Sequence, residues 1–393
     1  MTAVISDSMP TGNSECRIEE TDVLVVGAGP AGAVSARGLA LAGARVLLVD
    51  RARFPRWKVC GCCLNGAALR TLDSIGLGGL PERLGAQRLT HVRITARGRA
   101  AEIALPDGVA LSRWRFDHAL IEQAVADGVS ARTETSAEWL KESGEHVHVL
   151  LRAQGHVSTV RARFVIGADG LAASFTRRVP GVRSMPARRA RIGAGASVDP
   201  APQIYARNAI HMAVGSGGYV GLVRVEDDRL NVAAAFDVDF VRASGGLANA
   251  ANCILRENGL PAIAAQGTVR WQGTPPLTRR HQPPPRGRLY LVGDAAEYIE
   301  PFTGEGMAWA LESGAAIANY VMAALNGAGA ATPAAWLRRA NRLLGDRKRH
   351  CRWLASILRR QRLTGLGVRL LHAYPNLATP YLRTLNRVGI SRG

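Results

Sequence analysis

Residues 22–50 read DVLVVGAGPAGAVSARGLALAGARVLLVD. The apolar, β-branched run over residues 23–26 predicts a buried parallel strand. Residues 33–42 predict a helix that stops at a glycine, and residues 45–49 predict a second buried strand that ends at Asp50. The stretch therefore predicts a complete βαβ unit, and the rest of the chain is organised around it.

Three glycines join the first strand to the helix with the spacing G-x-G-x-x-G. Gly27 permits a tight turn, Gly29 lets the backbone approach a pyrophosphate, and Gly32 lets helix and strand pack closely. The helix N-terminus offers free N–H groups to phosphates, and a carboxylate at the end of the second strand can bind a ribose diol. The residues predicted here to bind a dinucleotide are Gly27, Gly29, Pro30, Ala31, Gly32, Asp50 and Arg51.

The composition indicates an ordinary globular protein with an unusual charge. The chain has 393 residues, of which 47% are hydrophobic and 21% are charged, yet its formal net charge is +19. Only three of the 50 basic residues are lysine, and residues 333–393 hold 14 basic residues against the single acid Asp346. The basic tail therefore needs an explanation of its own.

Targeting and metal-binding patterns are weak in this sequence. Residues 1–20 contain four acids and no apolar segment, which predicts a disordered leader rather than a secretory signal. Cys60, Cys62 and Cys63 have no second Cys/His pair at a spacing suited to zinc, and six cysteines in so long a chain do not predict a disulfide framework. We expect a cytoplasmic protein without a bound metal.

The loop after Asp50 contains Phe-Pro-Arg-Trp-Lys-Val-Cys-Gly, residues 54–61. This F-P-R-x-K-x-C-G pattern resembles the geranylgeranyl reductase family of flavoproteins, which are relatives of the para-hydroxybenzoate hydroxylase type of FAD monooxygenase. The resemblance implies that Arg56 contacts FAD and that Lys58 and Cys60 act catalytically beside the flavin ring. The family continues with C-G-G where this chain has Cys-Gly-Cys-Cys, and that departure puts an isoprenoid substrate in doubt.

Later segments resemble the remaining cofactor motifs of the same superfamily. Arg113 precedes a predicted helix, Asp169 ends a buried strand, and Gly-Asp-Ala-Ala at 293–296 precedes Pro-Phe-Thr-Gly-Glu-Gly-Met at 301–307. A helix N-terminus at this last motif would stabilise the negative charge of a reduced flavin. The further residues that the resemblance implies for FAD binding are Arg113, Asp169, Gly293, Asp294, Pro301, Gly304, Gly306 and Met307.

The sequence predicts an α/β protein: a Rossmann-like FAD-binding domain of the glutathione-reductase/hydroxylase type, an inserted antiparallel β substrate domain and a C-terminal helical region. Alternating segments between residues 191 and 236 predict the substrate strands, with Tyr205, His211 and Tyr219 as candidate polar groups. The predicted boundaries are 21–88, 111–180 and 268–330 for the FAD domain, 89–110 and 181–267 for the substrate domain, and 331–393 for the basic helical region.

The tail supports two interpretations. Residues 334–363 carry apolar side chains at helical spacing with arginines on the other faces. This predicts either a helix that caps the FAD domain or a basic amphipathic helix that rests on an anionic membrane. Nucleic acid is not expected as a partner, because no nucleic-acid-binding fold accompanies the charge.

The resemblance implies an FAD-dependent oxidoreductase, with three possible roles. The first is a monooxygenase that hydroxylates or epoxidises a hydrophobic small molecule with NAD(P)H and O2. The second is a reductase that saturates alkene bonds of an isoprenoid or another lipid, and the third is an FAD-binding redox carrier without a small substrate. A halogenase is disfavoured, because the lysine motif and the W-x-W-x-I-P motif of halogenases are missing.

Overall fold

The computed structural model describes residues 18–263, 269–284, 287–300, 302 and 304–386. The first strands are β1 Ile18–Val26, β2 Val46–Val49, β3 Cys63–Asn65, β4 Gln87–Arg88, β5 His91–Ala96, β6 Arg99–Ala104, β7 Gly108–Ala110, β8 Ser130–Arg132, β9 Thr135–Ser143, β10 His146–Ala153 and β11 His156–Gly167. The later strands are β12 Arg183–Pro186, β13 Ile192–Val198, β14 Ala209–Gly215, β15 Gly218–Arg224, β16 Leu230–Phe236, β17 Gln272–Pro276, β18 Arg279–Gln282, β19 Leu289–Leu291 and β20 Glu297–Tyr298.

The α-helices are α1 Pro30–Leu41, α2 Gly66–Ser74, α3 Leu80–Arg83, α4 Arg113–Ala126, α5 Val238–Ala243, α6 Leu247–Glu257, α7 Gly306–Leu325, α8 Pro333–Leu358, α9 Gln361–Ala373 and α10 Thr379–Leu385. Short 3-10 turns occupy Thr176–Arg178, Glu226–Asp228, Gly293–Ala295 and Pro375–Ala378. The predicted α/β class, with an antiparallel substrate sheet and a helical C-terminal region, is confirmed.

A seven-stranded sheet forms the centre of the cofactor domain. Its order is β8-β2-β1-β11-β10-β9, and β19 also pairs with β11. β8, β2, β1, β11 and β19 run parallel, whereas β10 and β9 run antiparallel. The carboxyl ends of the parallel strands meet at one edge of the sheet, so motifs far apart in the chain converge there.

Small residues let α1 and α7 pack closely beside this sheet. A Cβ added to Gly314 on α7 would lie 2.6 Å from the carbonyl oxygen of Ala31, and one added to Gly38 would lie 2.9 Å from the Cβ of Ala318. The cluster of buried residues around the two helices includes Val23, Val25, Leu39 and Leu311. This packing fixes the N-termini of α1 and α7 relative to each other, and both termini border the predicted cofactor site.

A second seven-stranded sheet forms the predicted substrate domain, in the order β17-β13-β16-β15-β14-β5-β6. Its neighbouring strands are antiparallel except β14 and β5. Residues 272–276 form β17 at the edge of this sheet, although the sequence assigned them to the FAD domain. Their pairing with β13 overrides the sequence pattern, which contains two prolines and gives no strand signal.

The predicted leader ends earlier than expected. Ile18, Glu19 and Glu20 belong to β1 and pair with residues 159–161 of β11, so the boundary at residue 20 was wrong for these three residues. The two acids and the exposed isoleucine gave no sequence signal for a strand. These residues are extended because they pair with the long strand β11. Residues 1–17 lie outside the described residues.

The C-terminal helices lie against both domains, and α8 packs its apolar side inward. Trp336, Leu344, Cys351 and Leu358 are buried, and Trp336 Nε1 donates to the carbonyl oxygen of Leu291 at 2.8 Å. The buried part of the apolar stripe predicted over residues 334–363 therefore packs against the protein along α8. No helix in the described part of the chain is long and apolar enough to cross a bilayer.

Two basic residues of α8 are buried in ion pairs. Arg347 Nη2 lies 2.5 Å from Glu312 on α7, and Lys348 Nζ lies 2.8 Å from Glu297 on β20. Glu312 is completely buried, so the pair with Arg347 is out of reach of solvent screening. Part of the positive charge of the tail therefore fastens α8 to the cofactor domain.

We predict that Arg347→Met lowers the free energy of unfolding by about 3–5 kcal/mol, because it breaks a buried ion pair by removing one of its two charges. The matched variant Arg349→Met removes an arginine whose pair with Asp346 is exposed, so a change within about 0.5 kcal/mol is expected. Urea unfolding of both proteins measures the difference. Equal losses in the two variants would contradict the structural role of the buried pair.

Candidate active site

The glycine loop after β1 is shaped by two close backbone approaches. Gly27 has a φ of 108°, and an added Cβ there would lie 2.3 Å from the carbonyl oxygen of Ala168. A Cβ on Gly32 would lie 1.8 Å from the carbonyl oxygen of Gly27. Neither position can hold a larger residue unless the backbone moves. The roles predicted for these two glycines in turn formation and packing fit the structure.

Gly29 differs, because space opens beside it. The nearest atoms to an added Cβ are Arg113 Nη2 at 3.7 Å and Arg56 Nη2 at 3.9 Å. No side chain caps the first turn of α1, which begins at Pro30 and Ala31. Uncapped N–H groups that face two guanidinium groups form a cradle for an anion. This geometry fits a pyrophosphate.

A buried carboxylate holds the two arginines. Asp117 accepts hydrogen bonds from Arg113 Nε at 2.6 Å and Nη2 at 2.7 Å, and its Oδ2 lies 3.3 Å from Arg56 Nη2. Arg56 Nη1 is buried and has no hydrogen-bond partner. One carboxylate thus balances two guanidinium groups, and the surplus positive charge faces the end of α1.

The pKa values of the arginines follow from this arrangement. Burial lowers the pKa of Arg113, but Asp117 and Cys60 outweigh burial and raise it. Burial also lowers the pKa of Arg56, and Asp117 only partly counteracts it. An anion bound beside Arg56 would stabilise the charged guanidinium group and offset the effect of burial on its pKa. Arg51, which the sequence included in the cofactor set, is exposed and makes no hydrogen bond or ion pair with a described residue.

Asp50 and Asp169 both bind backbone N–H groups. Asp50 accepts from Ala28 at 2.8 Å and Ala52 at 2.8 Å, which ties β2 to the glycine loop. Each of its oxygens keeps a lone pair that could accept a ribose hydroxyl. Asp169 accepts from Phe175 N and from both the backbone and the hydroxyl of Thr176, so it caps a 3-10 turn. A direct contact between FAD and Asp169 stays a prediction.

The third motif presents an unpaired carboxylate. Asp294 is half-buried and makes no hydrogen bond or ion pair within the described ranges. Burial raises the pKa of its carboxyl, whereas the charges of Lys58 and Arg113 act to lower it. Gly293 donates its N–H to Ser313 Oγ at 3.0 Å, which anchors the turn to α7. Asp294 is therefore free to accept hydrogen bonds from cofactor hydroxyls.

The N-terminus of α7 lies beside the segment over residues 51–63, which we call the flavin loop. Gly304 has a φ of 72°, and a Cβ built on it would lie 3.6 Å from the Cβ of Cys63. No side chain among the described residues caps the helix, which begins at Gly306 and Met307. The N–H groups of this turn can therefore stabilise negative charge on a ligand. Pro301, also predicted to bind the cofactor, lies outside the described residues.

Sequence reasoning missed Glu305, the residue directly before α7. It is completely buried, and burial raises the pKa of its carboxyl to about 7. Cys351 on α8 donates its thiol to Glu305 Oε2 at 3.8 Å. The only available signal was its position inside the Gly-Glu-Gly motif, because nothing in the sequence shows that the side chain points inward.

Lys58 lies where the second and third motifs meet. Its Nζ would be 3.0 Å from a Cβ on Gly170, and it makes no hydrogen bond or ion pair with the described part of the chain. Burial lowers the pKa of Lys58, and the charges of Arg113 and Arg56 lower it further. A half-buried, unpaired amine at this position can contact a bound ring or a substrate.

Cys60 connects the flavin loop to the substrate sheet. Its sulfur accepts a hydrogen bond from the backbone N–H of Cys62 at 3.5 Å. Its carbonyl oxygen accepts from Asn231 Nδ2 on β16 at 2.8 Å. The catalytic roles predicted for Lys58 and Cys60 stay predictions.

The sheet surface that faces this loop is apolar and made of small residues. A Cβ on Gly195 would lie 3.1 Å from Val59 and 3.2 Å from Trp57, and a Cβ on Gly221 would lie 2.9 Å from Met212 Sδ. Ala233 on β16 is in register with Gly221 on β15. We call the region where this surface faces the loop the chamber, and we define it by Val59, Cys60, Met212, Tyr219, Gly221 and Ala233. Gly221 and Ala233 are half-buried, whereas Met212 and Tyr219 are buried.

Only one of the three predicted polar groups of the substrate domain lies on the chamber side. Tyr219 packs edge-on against Phe302, with ring centroids 5.0 Å apart, and burial raises its pKa. His211 and Tyr205 pack against each other, with ring centroids 5.2 Å apart, and Tyr205 belongs to the core on the other side of the sheet, beneath α6. Strand alternation, which sends neighbouring side chains to opposite faces, decides this separation.

The FAD-binding domain family matches residues 20–233, which is more than half of the chain. The chain belongs to this family of FAD-dependent oxidoreductases. A digeranylgeranylglycerophospholipid reductase of Methanopyrus kandleri is 31% identical over 306 residues, covering 75% of this chain and 78% of the relative. A geranylgeranyl diphosphate reductase of Rhodobacter capsulatus is 28% identical over 316 residues, covering 77% of this chain and 75% of the relative.

Solved structures share the fold of this flavoenzyme at lower sequence identity. A flavin-dependent brominase superimposes with a TM-score of 0.78 at 18% identity, covering 93% of each chain. A p-nitrophenol 4-monooxygenase from Pseudomonas putida gives a TM-score of 0.74 at 18% identity, covering 94% of this chain and 100% of the neighbour. A geranylgeranyl bacteriochlorophyll reductase-like protein from Thermoplasma acidophilum gives 0.68 at 21% identity, covering 94% and 100%. These likenesses show the fold alone.

We predict that Gly29→Val and Asp294→Ala yield folded protein with little bound FAD. Valine would fill the space beside α1, and alanine would remove the unpaired carboxylate, while neither change disturbs a packed core. Flavin absorbance per chain, with far-ultraviolet circular dichroism to check folding, measures the effect. Gly329→Ala is the control, since its added methyl group meets nothing within 4 Å. Full FAD content in both variants would contradict the assigned cofactor site.

Lys58→Met is expected to retain FAD and to lower the rate of flavin reduction or substrate turnover by about 100-fold, because it removes a preorganised positive charge from the cleft. Lys141→Met, a change of an exposed lysine on β9, is the matched control. Stopped-flow absorbance of the bound flavin gives the rates. Equal rates in the wild type and Lys58→Met would show that the loop lysine is structural.

Proposed function

We propose that this flavoenzyme saturates carbon–carbon double bonds of a long apolar, isoprenoid-type substrate, with NAD(P)H as the reductant. The observation that carries the proposal is the apolar, small-residue surface of the sheet that faces Val59 and Cys60 at the chamber. The relatives that align over three-quarters of the chain support the choice, because they are named for geranylgeranyl substrates.

The chain provides groups that fit each part of FAD. Arg56, Arg113 and the first turn of α1 suit the pyrophosphate, and Asp294 suits the hydroxyls of the ribitol. When bound, FAD supplies reversible two-electron chemistry. The uncapped N-terminus of α7 would favour the negatively charged reduced state of the ring.

The chamber surface favours a substrate without polar ring substituents. Gly221, Ala233 and Met212 offer no hydrogen-bond donors or acceptors from their side chains. Saturation of an alkene also requires a proton at the second carbon. Lys58 Nζ lies beside Gly170, Tyr219 borders the chamber, and burial keeps the Tyr219 hydroxyl protonated by raising its pKa. These two groups are the candidate proton donors.

Oxygenation of a hydrophobic small molecule is the second candidate, which the sequence favoured. The observation behind it is the departure from C-G-G to Cys-Gly-Cys-Cys at residues 60–63, in the loop that borders the chamber. Two side chains larger than glycine occupy the loop there. Cys63 contacts the region of Gly304, so the space beside the predicted ring differs from that implied by the reductase motif.

The two reactions separate under anaerobic conditions. Dithionite-reduced enzyme, mixed without O2 with a geranylgeranylated glycerophospholipid in detergent micelles, is expected to become oxidised while the lipid gains two hydrogens per double bond. The same lipid with saturated chains should leave the flavin reduced. Flavin absorbance and lipid mass spectra are the measurements, and NADPH replaces dithionite in a parallel sample to test the reductant.

Other outcomes of this experiment identify the alternatives. A product that gains an oxygen atom only in air would replace the reductase proposal with the monooxygenase. If no lipid product forms in either atmosphere but electrons pass rapidly to a dye, the remaining interpretation is a redox carrier.

We also propose peripheral contact with an anionic membrane, through α9 rather than α8. Leu363, Leu366 and Leu370 are exposed at helical spacing on α9, and Tyr374 and Leu377 extend this apolar stripe. Arg362 and Arg369 are exposed on the same helix. Apolar side chains flanked by arginines suit the interface of an anionic bilayer.

The inner face of α9 supports this placement. Val368 is buried in a cluster with Met212 and Tyr219, and His372 Nδ1 lies 2.9 Å from the carbonyl oxygen of Ala100 on β6. The inner face of α9 therefore lies against the chamber side of the substrate sheet, and its outer face carries the exposed apolar stripe. A lipid substrate leaving a bilayer at α9 would have a short route to the chamber.

Arg362→Gln with Arg369→Gln, and separately Leu366→Gln with Leu370→Gln, are each expected to abolish sedimentation with anionic liposomes while the flavin spectrum is unchanged. Each basic residue near such a surface contributes about 1 kcal/mol, and salt should weaken binding. Replacement of Arg338, Arg339, Arg342 and Arg349 on α8 by Gln is the comparison and should weaken binding only in part. No sedimentation of the wild type at any salt concentration would contradict the membrane proposal.

A further inference from the structure

Three cysteines lie within four residues of the flavin loop, and the proposed function uses only Cys60. Cys60, Cys62 and Cys63 are all free thiols. Cys62 has a φ of 56°, a left-handed conformation that bends the chain back, and its backbone N–H points at Cys60 Sγ from 3.5 Å. The bend brings the two side chains together although only Gly61 separates them.

Cys60 packs against the cluster that contains buried Cys62, and the Cys60 sulfur accepts the backbone N–H of Cys62. Cys63 Sγ instead donates to the carbonyl oxygen of Gly61 at 3.2 Å. The geometry therefore selects one pair from the three cysteines.

The two thiols of this pair have opposite acid–base properties. The hydrogen bond from Cys62 and then the Arg113 charge hold the pKa of Cys60 below its usual range, despite burial. The hydrogen bond to Cys60 and burial raise the pKa of Cys62. A thiolate held beside a guanidinium group is a nucleophile, and a neighbouring protonated thiol can resolve the oxidised product.

We propose that Cys60 and Cys62 form a redox-active dithiol that a peroxide converts to an intrachain disulfide. The Cys60 thiolate attacks one oxygen of hydrogen peroxide, the O–O bond breaks, and the departing hydroxide takes a proton to become water. Cys62 sulfur then attacks the sulfenic acid of Cys60, which releases its oxygen as a second water as the S–S bond forms. Two thiols and one peroxide give one disulfide and two waters.

The disulfide can be reduced again, and its effect is confined to the flavin loop. Cys60 is half-buried at the chamber, where a small oxidant can reach it, while Cys62 is only 2% exposed. A disulfide that closes so small a ring is readily reduced by added thiols. Its formation removes the negative charge of Cys60 from beside Arg113, so the charge of the flavin loop depends on its oxidation state.

The test uses the FAD-loaded enzyme and hydrogen peroxide as the probe. After brief oxidation at neutral pH, remaining thiols are alkylated, and trypsin releases residues 59–70, which contain all three cysteines between Lys58 and Arg70. We expect this peptide to be lighter by two hydrogens and to carry a single alkyl group, on Cys63. Dithiothreitol before alkylation should restore three alkylated cysteines.

Two variants keep the result interpretable. In Cys62→Ser, the sulfenic acid of Cys60 cannot be resolved and should be trapped by dimedone. In Cys253→Ser, which changes a cysteine on α6, the disulfide should form as in the wild type.

Three alkylated cysteines after oxidation, a disulfide mapped to Cys63 or to a second chain, or overoxidised Cys60 without a disulfide would each overturn the proposal. The assay needs neither lipid turnover nor O2, so its result is independent of the proposed function.

Discussion

The buried carboxylate of Asp117 is the interaction on which the candidate site depends. It holds Arg113 of α4 and Arg56 of the flavin loop beside the uncapped end of α1. Without it, each guanidinium group would lose its paired carboxylate, and breaking a buried ion pair costs several kcal/mol. Because Arg56 belongs to the loop that carries Lys58, the same ion pairs also fix that loop.

The chamber depends on close contact between the flavin loop and the substrate sheet. Asn231 binds the carbonyl oxygen of Cys60, and Gly195 lets Trp57 and Val59 approach β13. The sheet thus rests on the loop through this hydrogen bond and this glycine, and Gly221 and Ala233 on the same surface have little or no side chain. The fold alone would suit several flavin reactions. The composition of this surface is what favours a reaction on an apolar substrate.

Charge in the C-terminal region has two physical roles. Arg347 and Lys348 neutralise buried carboxylates at α7 and β20, so they stabilise the docking of α8. Arg362 and Arg369 remain exposed on α9 beside leucines that no described residue covers. Net charge therefore could not show which part of the tail faces solvent, since burial of each side chain depends on its partners in other elements.

The sequence by itself determined the cofactor domain, because each motif there is local: a strand, a glycine turn and a helix start within a dozen residues. It also predicted that Lys58, Cys60 and Asp294 share a site, through the resemblance that orders the motifs. Tertiary structure decided what depends on distant partners. In the folded chain, residues 272–276 belong to the substrate sheet and Asp169 caps a turn. His211 lies away from the chamber, and Glu305 is buried. Pairing, strand alternation and burial are set by contacts between separate segments, and a linear pattern does not record them.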